Sequence, residues 1–181
     1  MSDKWIIEES RTLVSDQWIK LRADRCRRKD GLIIEPYYVL EQAEWISVLP
    51  LTANEQVVMV KEYRHGANVI QPALLGGRVD AFDESPKAAA LRELLEETGY
   101  APKQMINLGY CFANWANQNN RVHMFLALDC TCVADQNLDE SEQIEVMTLP
   151  LSKVSEPGFL KQSFNIVNLH LALPHLPKIE N

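Results

Sequence analysis

The sequence predicts an α+β domain, and three observations lead to that prediction. Short runs rich in β-branched and aromatic residues recur through the first 64 residues and again after residue 104. Between them, residues 86–98 consist of strong helix formers almost throughout. A second helical pattern, with apolar residues at helical spacing, lies near the carboxyl end. Many strands with two helices are typical of an α+β fold.

The composition is that of a soluble globular protein. The chain has 181 residues, 46% of them hydrophobic and 24% charged, which suits one domain or a domain with a small appendage. A net charge of −7 argues against a general nucleic-acid-binding surface. The first residues contain no apolar signal core, and no run approaches the roughly 20 apolar residues of a membrane span. We therefore expect a cytoplasmic protein with neither nucleic acid nor membrane as a partner.

Four cysteines, Cys26, Cys111, Cys130 and Cys132, include no C-x-x-C pair. Reduced thiols in a cytosolic protein are the favoured interpretation, and a disulfide or zinc site is the alternative.

The elements divide the chain after residue 43. In residues 1–43, the runs KWIIEES, DQWIKLRADRCRR and LIIEPYYVLEQ are separated by turn residues and predict a small antiparallel β layer. Residues 44–181 form the predicted main domain, which begins with two core strands, EWISVLPLT and QVVMVKEYR. The segment HGANVIQPALLGGRVDAFDES is rich in Gly, Pro and Asp, so it predicts a long loop with short extended pieces.

The helix that follows this loop has clear ends in the sequence. Ser85 is a suitable N-cap, Pro86 occupies the first helical position, and Gly99 supplies a left-handed residue at the end. Three further strand candidates follow, MINLGYCFA, RVHMFLALDC and QIEVMTLPL. The terminal helix is predicted from the spacing of its apolar residues, Phe159, Leu160, Phe164, Val167 and Leu171.

The last turns of the first helix carry charges that do not favour an isolated helix. Glu93 and Glu97 are four residues apart, a like-charge pair that costs roughly 0.2–0.5 kcal/mol. Carboxylates there also oppose the helix dipole, at roughly 0.3–1 kcal/mol each when exposed. Arg92 can pair with Glu96, but an arginine four residues before a glutamate is the less favourable order for such a pair. A bound cation would remove the repulsion, and a solvated helix face is the alternative.

Glu93, Glu96 and Glu97, called here the helix glutamates, fall within an arc of roughly 100°. Leu91, Leu94 and Leu95 occupy a comparable arc on the other side, so we expect these leucines to form the buried face. The helix glutamates would then face the upstream GGRVDAFDES loop. Hard divalent cations take oxygen ligands, and Mg²⁺ typically combines a few carboxylates with waters and substrate phosphates.

The stretch GGRVDAFDESPKAAALRELLEETGY resembles the signature of the Nudix hydrolases. That pattern is Gly, five residues, Glu, seven residues, then Arg-Glu-aliphatic-x-Glu-Glu-x-Gly-aliphatic. Residues 92–99 match it in order, and Glu84 stands seven residues before Arg92. Six residues rather than five separate Gly77 from Glu84, and Tyr100 replaces the final aliphatic residue.

The resemblance implies a Nudix-type α/β/α sandwich with a mixed sheet, to which the N-terminal β layer is added. It also implies an enzyme that uses Mg²⁺ or Mn²⁺ to cleave nucleoside diphosphates linked to another moiety. Glu93 and Glu97 would be the principal metal ligands, and Glu96 a further or water-bridged ligand. Such cations neutralise a pyrophosphate and activate water.

The same resemblance gives roles to residues around the helix glutamates. Arg92 and Glu84 would pair to orient them. Gly77 would permit a tight loop, and the backbone carbonyl of Gly76 would reach a metal.

Outside this signature the chain resembles the ADP-ribose pyrophosphatase branch, through WISVLPL, VVMVKEYRHG, NRVHMFLALD and DESEQIEV. That branch implies ADP-ribose or a related nucleoside diphosphate sugar as substrate, and a homodimer whose N-terminal layers exchange between subunits. Arg64 matches a phosphate-contacting arginine, with a strand-end surface charge as the alternative. Trp18 could stack on a nucleobase, although a core tryptophan is the favoured interpretation.

Glu142 is the candidate general base or additional metal ligand in the acidic loop. Glu140 and Glu145 compete with it, and for each of the three an exposed acidic loop is the favoured interpretation. The branch also carries Glu-x-Pro-Ala-Gly before the signature, whereas this chain reads IQPALLGG, with Ala73 or Gln71 at the carboxylate position. Two other functions stay open: a catalytically weak module that senses nucleotide sugars, and a pyrophosphatase for NADH-type dinucleotides.

Overall fold

The computed structural model describes residues 3–176. The chain forms two compact units: one reaches to Ala43 and includes Phe112–Arg121, and the other contains Glu44–Cys111 and the chain from Val122 onward. Residues 1–2 and 177–181, at the ends of the two predicted segments, lie outside the described residues.

The first unit is built on a three-stranded antiparallel sheet. Its strands are β1 (Ile6–Ser15), β2 (Lys20–Arg27) and β3 (Ile33–Glu41), in that spatial order. The segment Phe112–Arg121 joins this unit through β3, where the Leu40 amide donates to the Asn117 carbonyl at 2.8 Å. The predicted antiparallel layer is confirmed.

The second unit contains the remaining strands and all the helices of the described chain. The strands are β4 (Trp45–Pro50), β5 (Gln56–Arg64), β6 (Val69–Ala73), β7 (Leu75–Arg78), β8 (Tyr100–Ala101), β9 (Gln104–Phe112), β10 (Arg121–Leu128), β11 (Thr131–Cys132) and β12 (Glu145–Pro150). The helices are α1 (Pro86–Thr98), α2 (Leu151–Val154) and α3 (Ser163–Ala172), and a 3₁₀ turn follows at Leu173–His175.

Two sheets form the centre of this unit. In the order β7-β4-β10-β9, β4 runs parallel to β10 and antiparallel to β7, so this sheet is mixed. The second sheet has the order β12-β5-β6 and is antiparallel. The segment predicted as a long loop with extended pieces contains β6 and β7, which supply an edge strand to each sheet.

Strand β4 lies between the two longer helices. Its side chains alternate: Ile46 and Val48 join the core on the α1 side, and Leu49 joins the core that includes Ala172 of α3. Ser47 also faces α3, because its hydroxyl accepts a hydrogen bond from Asn168 Nδ2 at 3.0 Å. Helices on both faces of a mixed sheet are the expected sandwich.

The terminal helix is shorter than its apolar pattern predicts. Phe159 and Leu160 precede it, since α3 begins at Ser163. Two buried asparagines face the sheet, and Asn165 Oδ1 accepts from the Leu74 amide at 3.2 Å. Apolar spacing alone does not reveal this polar attachment.

Within the described chain, no helix combines the length and hydropathy needed to cross a membrane. All four cysteines are free thiols, two of them buried, at Cys26 and Cys130.

Candidate active site

Helix α1 presents the helix glutamates from a well-defined scaffold. Ser85 is extended, and its hydroxyl accepts from the Ala88 amide at 3.1 Å, as the sequence predicts. At the other end Gly99 has φ 73°, and its amide donates to the Leu95 carbonyl at 2.8 Å. A Cβ at Gly99 would lie 2.0 Å from the Ala134 carbonyl oxygen, so this position requires glycine.

The buried face of α1 differs from the expected leucine face. Leu91 and Leu95 are 39% and 40% exposed, so the prediction is wrong for both. The buried residues of the helix are Ala89, Ala90, Leu94, Glu97 and Thr98. Taking 100° per residue, this face is rotated by roughly 90° from the centre of the three leucines. The small alanines let the helix approach the sheet closely, and this turns Glu97 inward.

Glu97 is the most deeply buried of the helix glutamates. It is 6% exposed, and among the described residues its Oε2 has no hydrogen-bond partner. Burial raises the pKa of Glu97 to about 9, with further contributions from the charges of Glu93, Glu142 and Glu62. A buried carboxylate without a partner is costly, so the geometry suits an added cation.

Glu93 lies against strand β7. Its side chain is 12% exposed, and a Cβ placed on Gly77 would lie 2.3 Å from Glu93 Cδ. Burial raises the pKa of Glu93 to about 7, although the neighbouring Arg92 opposes this rise. Gly77 therefore provides the space for this carboxylate. Gly76 is less restricted, since a Cβ there would lie 3.2 Å from the Ile46 carbonyl oxygen.

Arg92 connects α1 to the loop before it. Its guanidinium donates to both carboxylate oxygens of Asp83, at 3.1 and 3.0 Å, and to Glu96 Oε2 at 2.9 Å. The same group lies 3.1 Å from Glu93 Oε1. The hydrogen bonds from Arg92 hold the pKa of the Asp83 carboxyl below its usual range.

The expected pairing of Arg92 with Glu84 is therefore wrong, because Asp83 makes that contact and Glu84 is exposed. Five residues separate Gly77 from Asp83, as in the Nudix signature, so the additional residue lies between Asp83 and Arg92. Counting forward from Gly77 would have found Asp83, whereas counting back from Arg92 selects Glu84.

The acidic loop is attached to the end of α1. Gln136 Nε2 donates to the Glu97 carbonyl at 2.6 Å, and the Asn137 amide donates to the Glu96 carbonyl at 2.8 Å. Further along, the Glu142 carboxylate accepts from the Asp139 amide at 3.0 Å. These contacts bring Glu142 close enough to raise the pKa values of Glu93 and Glu97.

The other two candidates for the general base have different surroundings from Glu142. Glu140 is exposed, and Glu145 forms an ion pair with Lys61 at 2.8 Å across the β12–β5 pair. Of the three acids, Glu142 is the one whose charge acts on both Glu93 and Glu97.

Sequence reasoning missed Glu62, which lies near the end of β5. Its carboxylate forms an ion pair with Arg64, and burial raises its pKa, to which the charge of Glu142 adds. In the β5–β6 register Glu62 is opposite Gln71, and Val60 is opposite Ala73. The carboxylate absent from β6 thus has a counterpart on the neighbouring strand. The strand spacing of Glu62 and Arg64, two residues apart on one face, was the available signal.

These carboxylates form a group, named here the glutamate cluster, of Glu62, Glu93, Glu97 and Glu142. The charge of Glu142 raises the pKa values of the other three, and the charge of Arg64 lowers those of Glu62 and Glu97. Within residues 3–176, no three His, Cys, Asp or Glu side chains stand in a ready-made metal-binding arrangement. Glu93 and Glu97 nevertheless fit a divalent cation, because their donor atoms are all oxygen, are crowded with like charge and include the unpartnered Oε2 of Glu97.

Trp18 lies in the turn between β1 and β2, in the first unit. It is 78% exposed, and its backbone amide donates to Asp16 Oδ1 at 2.7 Å. The favoured interpretation of Trp18 as a core residue is therefore wrong, and its contact with a nucleobase stays a prediction.

Comparison with known proteins adds independent findings. Residues 43–168 match the NUDIX domain model, and residues 5–40 match the nucleoside diphosphate sugar hydrolase N-terminal domain. Among solved structures, an ADP compounds hydrolase aligns with a TM-score of 0.83 over 96% of this chain and 94% of that one, at 20% identity. That likeness supports the fold.

Curated relatives agree with the family match. An ADP-ribose pyrophosphatase of Bacillus subtilis is 32% identical over 107 residues, which span 59% of this chain and 57% of the relative. A GDP-mannose pyrophosphatase of Pectobacterium atrosepticum is 26% identical over 89% of this chain and 90% of its own length. A methanol dehydrogenase activator of Bacillus methanolicus is 26% identical over 78% of this chain and 76% of its own. With a family match over residues 43–168 and a helix that presents the signature glutamates, this chain belongs to the Nudix hydrolase family.

Proposed function

We propose that this protein is a Mg²⁺- or Mn²⁺-dependent pyrophosphohydrolase that acts on ADP-ribose or a related nucleoside diphosphate sugar. Its products would be a nucleoside monophosphate and a sugar phosphate. The observation that carries the proposal is the buried Oε2 of Glu97, which has no hydrogen-bond partner among the described residues. The relatives named as ADP-ribose and GDP-mannose pyrophosphatases support this substrate class.

The proposal assigns roles to the residues around α1. Glu93 and Glu97 are the principal metal ligands, Glu96 is a further or water-bridged ligand, and the Gly76 carbonyl completes the donor set. Arg92 holds Glu96 in place through a 2.9 Å hydrogen bond and is itself anchored by Asp83. This anchoring gives Asp83 the orienting role that the sequence assigned to Glu84.

The chemistry follows from these roles. Glu93 and Glu97 would hold a divalent cation here, which would neutralise the diphosphate and lower the pKa of water. Glu142 holds the attacking water and accepts its proton, and the acidic loop keeps Glu142 near α1 for this task. Arg64 donates to a phosphate oxygen of the substrate. Arg64 also offsets the negative charge of the glutamate cluster, because its charge lowers the pKa of Glu97.

A homodimer through the N-terminal layer is part of the proposal. Strand β1 is the edge strand of its sheet and is exposed along its whole length, including Ile6, Ile7, Leu13 and Val14. An exposed apolar edge of this kind favours pairing with another chain. Sedimentation velocity should give the mass of a dimer, and a monomer at micromolar concentration would contradict this point.

We place the protein in the cytoplasm on the basis of its four free thiols, which suit a reducing compartment. Fractionation of cells that express the untagged protein should recover it in the same fraction as a cytoplasmic marker protein.

A substrate panel tests the enzymatic proposal. Purified protein is incubated with ADP-ribose, GDP-mannose, NADH and other nucleoside diphosphate conjugates, with Mg²⁺, Mn²⁺ or EDTA, and products are separated by ion-exchange chromatography. We expect cleavage of a nucleoside diphosphate sugar that EDTA abolishes. No cleavage of any conjugate would reject the proposal, and calorimetric binding without cleavage would favour the nucleotide-sugar-sensing module. Preferential cleavage of NADH would favour the dinucleotide pyrophosphatase.

A further inference from the structure

Glu62 and Arg64 continue the face of β5 that packs toward α1. Val60 belongs to the core cluster that contains Leu94 of α1, whereas Met59 belongs to the cluster on the α3 side. Side chains alternate along a strand, so residues 60, 62 and 64 share one face. The pair therefore points to the same side of the sheet as the catalytic helix.

The Arg64 guanidinium is anchored by the Glu62 carboxylate. The two groups form an ion pair in which the Glu62 side chain is 20% exposed and the Arg64 side chain about half exposed. Across the strand pair, Glu62 faces the neutral Gln71, so no like charge opposes it. Glu62 thus holds one terminal nitrogen, Nη2, of an arginine whose side chain is about half exposed.

The pair also lies within electrostatic range of the rest of the glutamate cluster. The charge of Glu62 raises the pKa of Glu97, and that of Arg64 lowers it. The charge of Glu142 acts on Glu62 in turn. An arginine fixed on the face of β5 that packs toward α1 is suited to a phosphate group that approaches this side of the sheet together with a cation.

We propose that Glu62 is a positioning residue that fixes the Arg64 guanidinium on the α1 side of the sheet, ready to bind a phosphate of the substrate. The inference rests on the proposed function and adds the residue that prepares its phosphate-binding arginine. Without Glu62, Arg64 samples more side-chain conformations and must be ordered when substrate binds. The effect therefore falls on substrate binding more than on the chemical step.

Steady-state kinetics with ADP-ribose and Mg²⁺ tests this role. For Glu62→Gln we expect KM to rise about tenfold while kcat changes by less than about threefold. Glu62→Asp, which keeps the charge but shortens its reach, should give an intermediate KM and serves if the glutamine variant does not fold. In an Arg64→Ala background, Glu62→Gln should change KM by less than about twofold, because the positioned group is gone.

Lys61→Gln is the matched control. It breaks the Lys61–Glu145 ion pair, which belongs to the same strand β5 but lies on its other face, and it should leave KM unchanged. Calorimetric titration with Mn²⁺ alone gives a readout that does not depend on turnover, and Glu62→Gln should bind Mn²⁺ as the unchanged protein does.

Three results would overturn the inference: an unchanged KM in Glu62→Gln, a full effect of Glu62→Gln in the Arg64→Ala background, or weakened Mn²⁺ binding. The last would make Glu62 a metal ligand instead. A wild-type protein that cleaves no conjugate would reject the proposed function itself, and this inference with it. That outcome is distinguishable because it appears before any variant is made.

Discussion

Carboxylates in the N-terminal sheet and in the glutamate cluster have opposite surroundings. In the sheet, Glu8 forms ion pairs with Arg25 and Arg27, and Glu41 forms ion pairs with Lys20 and Arg22. Hydrogen bonds from these basic groups lower the pKa values of both acids. In the cluster, burial raises the pKa values of Glu62, Glu93 and Glu97.

The difference separates acids that the chain itself pairs from acids that we propose for a metal site. Every charge needed by Glu8 and Glu41 comes from the chain itself, on adjacent strands. Glu97 is buried, the charges of other carboxylates raise its pKa further, and the charge of Arg64 lowers it. Structural ion pairs also perturb pKa, but they do so by favouring the charged form. Acids that the fold pushes toward the neutral form are suited to an added cation.

The largest expected effect comes from neutralising Glu97, the most buried of the helix glutamates. Glu97→Gln keeps the shape of the side chain but removes the charge that binds a cation, so kcat/KM should fall on the order of a thousandfold. Circular dichroism should report an unchanged fold. Turnover within tenfold of that of the unchanged protein would show that Glu97 is not a metal ligand. The proposed difference from the acids of the N-terminal sheet would then be wrong.

A methyl group at Gly77 should displace Glu93 without changing any charge. A Cβ there would lie 2.3 Å from Glu93 Cδ, so the carboxylate must shift. Misplacement by about 1 Å costs up to roughly a hundredfold in rate, which is the expected loss of kcat in Gly77→Ala. Gly66→Ala is the control, since a Cβ at Gly66 meets nothing within 4 Å. Equal kinetics in the two variants would contradict the role of Gly77 as space for Glu93.

Asp83 and Glu84 offer a comparison between neighbouring acids. Asp83→Asn weakens the two hydrogen bonds that hold Arg92, so kcat/KM should fall by about 10- to 100-fold. Glu84→Gln removes an exposed charge and should leave the rate unchanged. The opposite ranking in the same ADP-ribose assay would restore the pairing that sequence counting selected.

The pH dependence of stability should have opposite signs for the two groups of acids. Because the pKa of Glu97 is raised from 4.5 to about 9, the folded metal-free protein binds more protons than the unfolded chain across that range. Its free energy of unfolding should therefore fall as pH rises from 7 to 9, on the order of 1 kcal/mol per pH unit. Urea denaturation in EDTA measures this slope, and Glu97→Gln should flatten it. If the unchanged protein and Glu97→Gln had the same slope of unfolding free energy against pH, Glu97 would not have a raised pKa in the metal-free protein.

Much of this arrangement could be predicted from the sequence, and the misses have physical causes. The caps at Ser85 and Gly99 are local hydrogen-bonding signals, so they were predicted correctly. The rotation of α1 depends on how closely Ala89 and Ala90 let it approach the sheet, which helical periodicity does not contain. The role of Glu62 depends on strand register and on folding next to α1, so a pattern confined to the signature could not reveal it.

The smallest effect should come from the N-terminal sheet. Glu8→Gln removes the acid that accepts from Arg25 and Arg27, but these ion pairs are exposed and weak. Because the pKa of Glu8 is lowered, its stabilisation exists above pH 4.5 and disappears as pH falls. At pH 7 and low salt we expect Tm to fall by no more than a few degrees, and the difference should shrink at 1 M NaCl. Calorimetry at both salt concentrations checks this. A loss of stability that does not change with salt would show that Glu8 is not an exposed, screened ion-pair partner, and would contradict the contrast with Glu97.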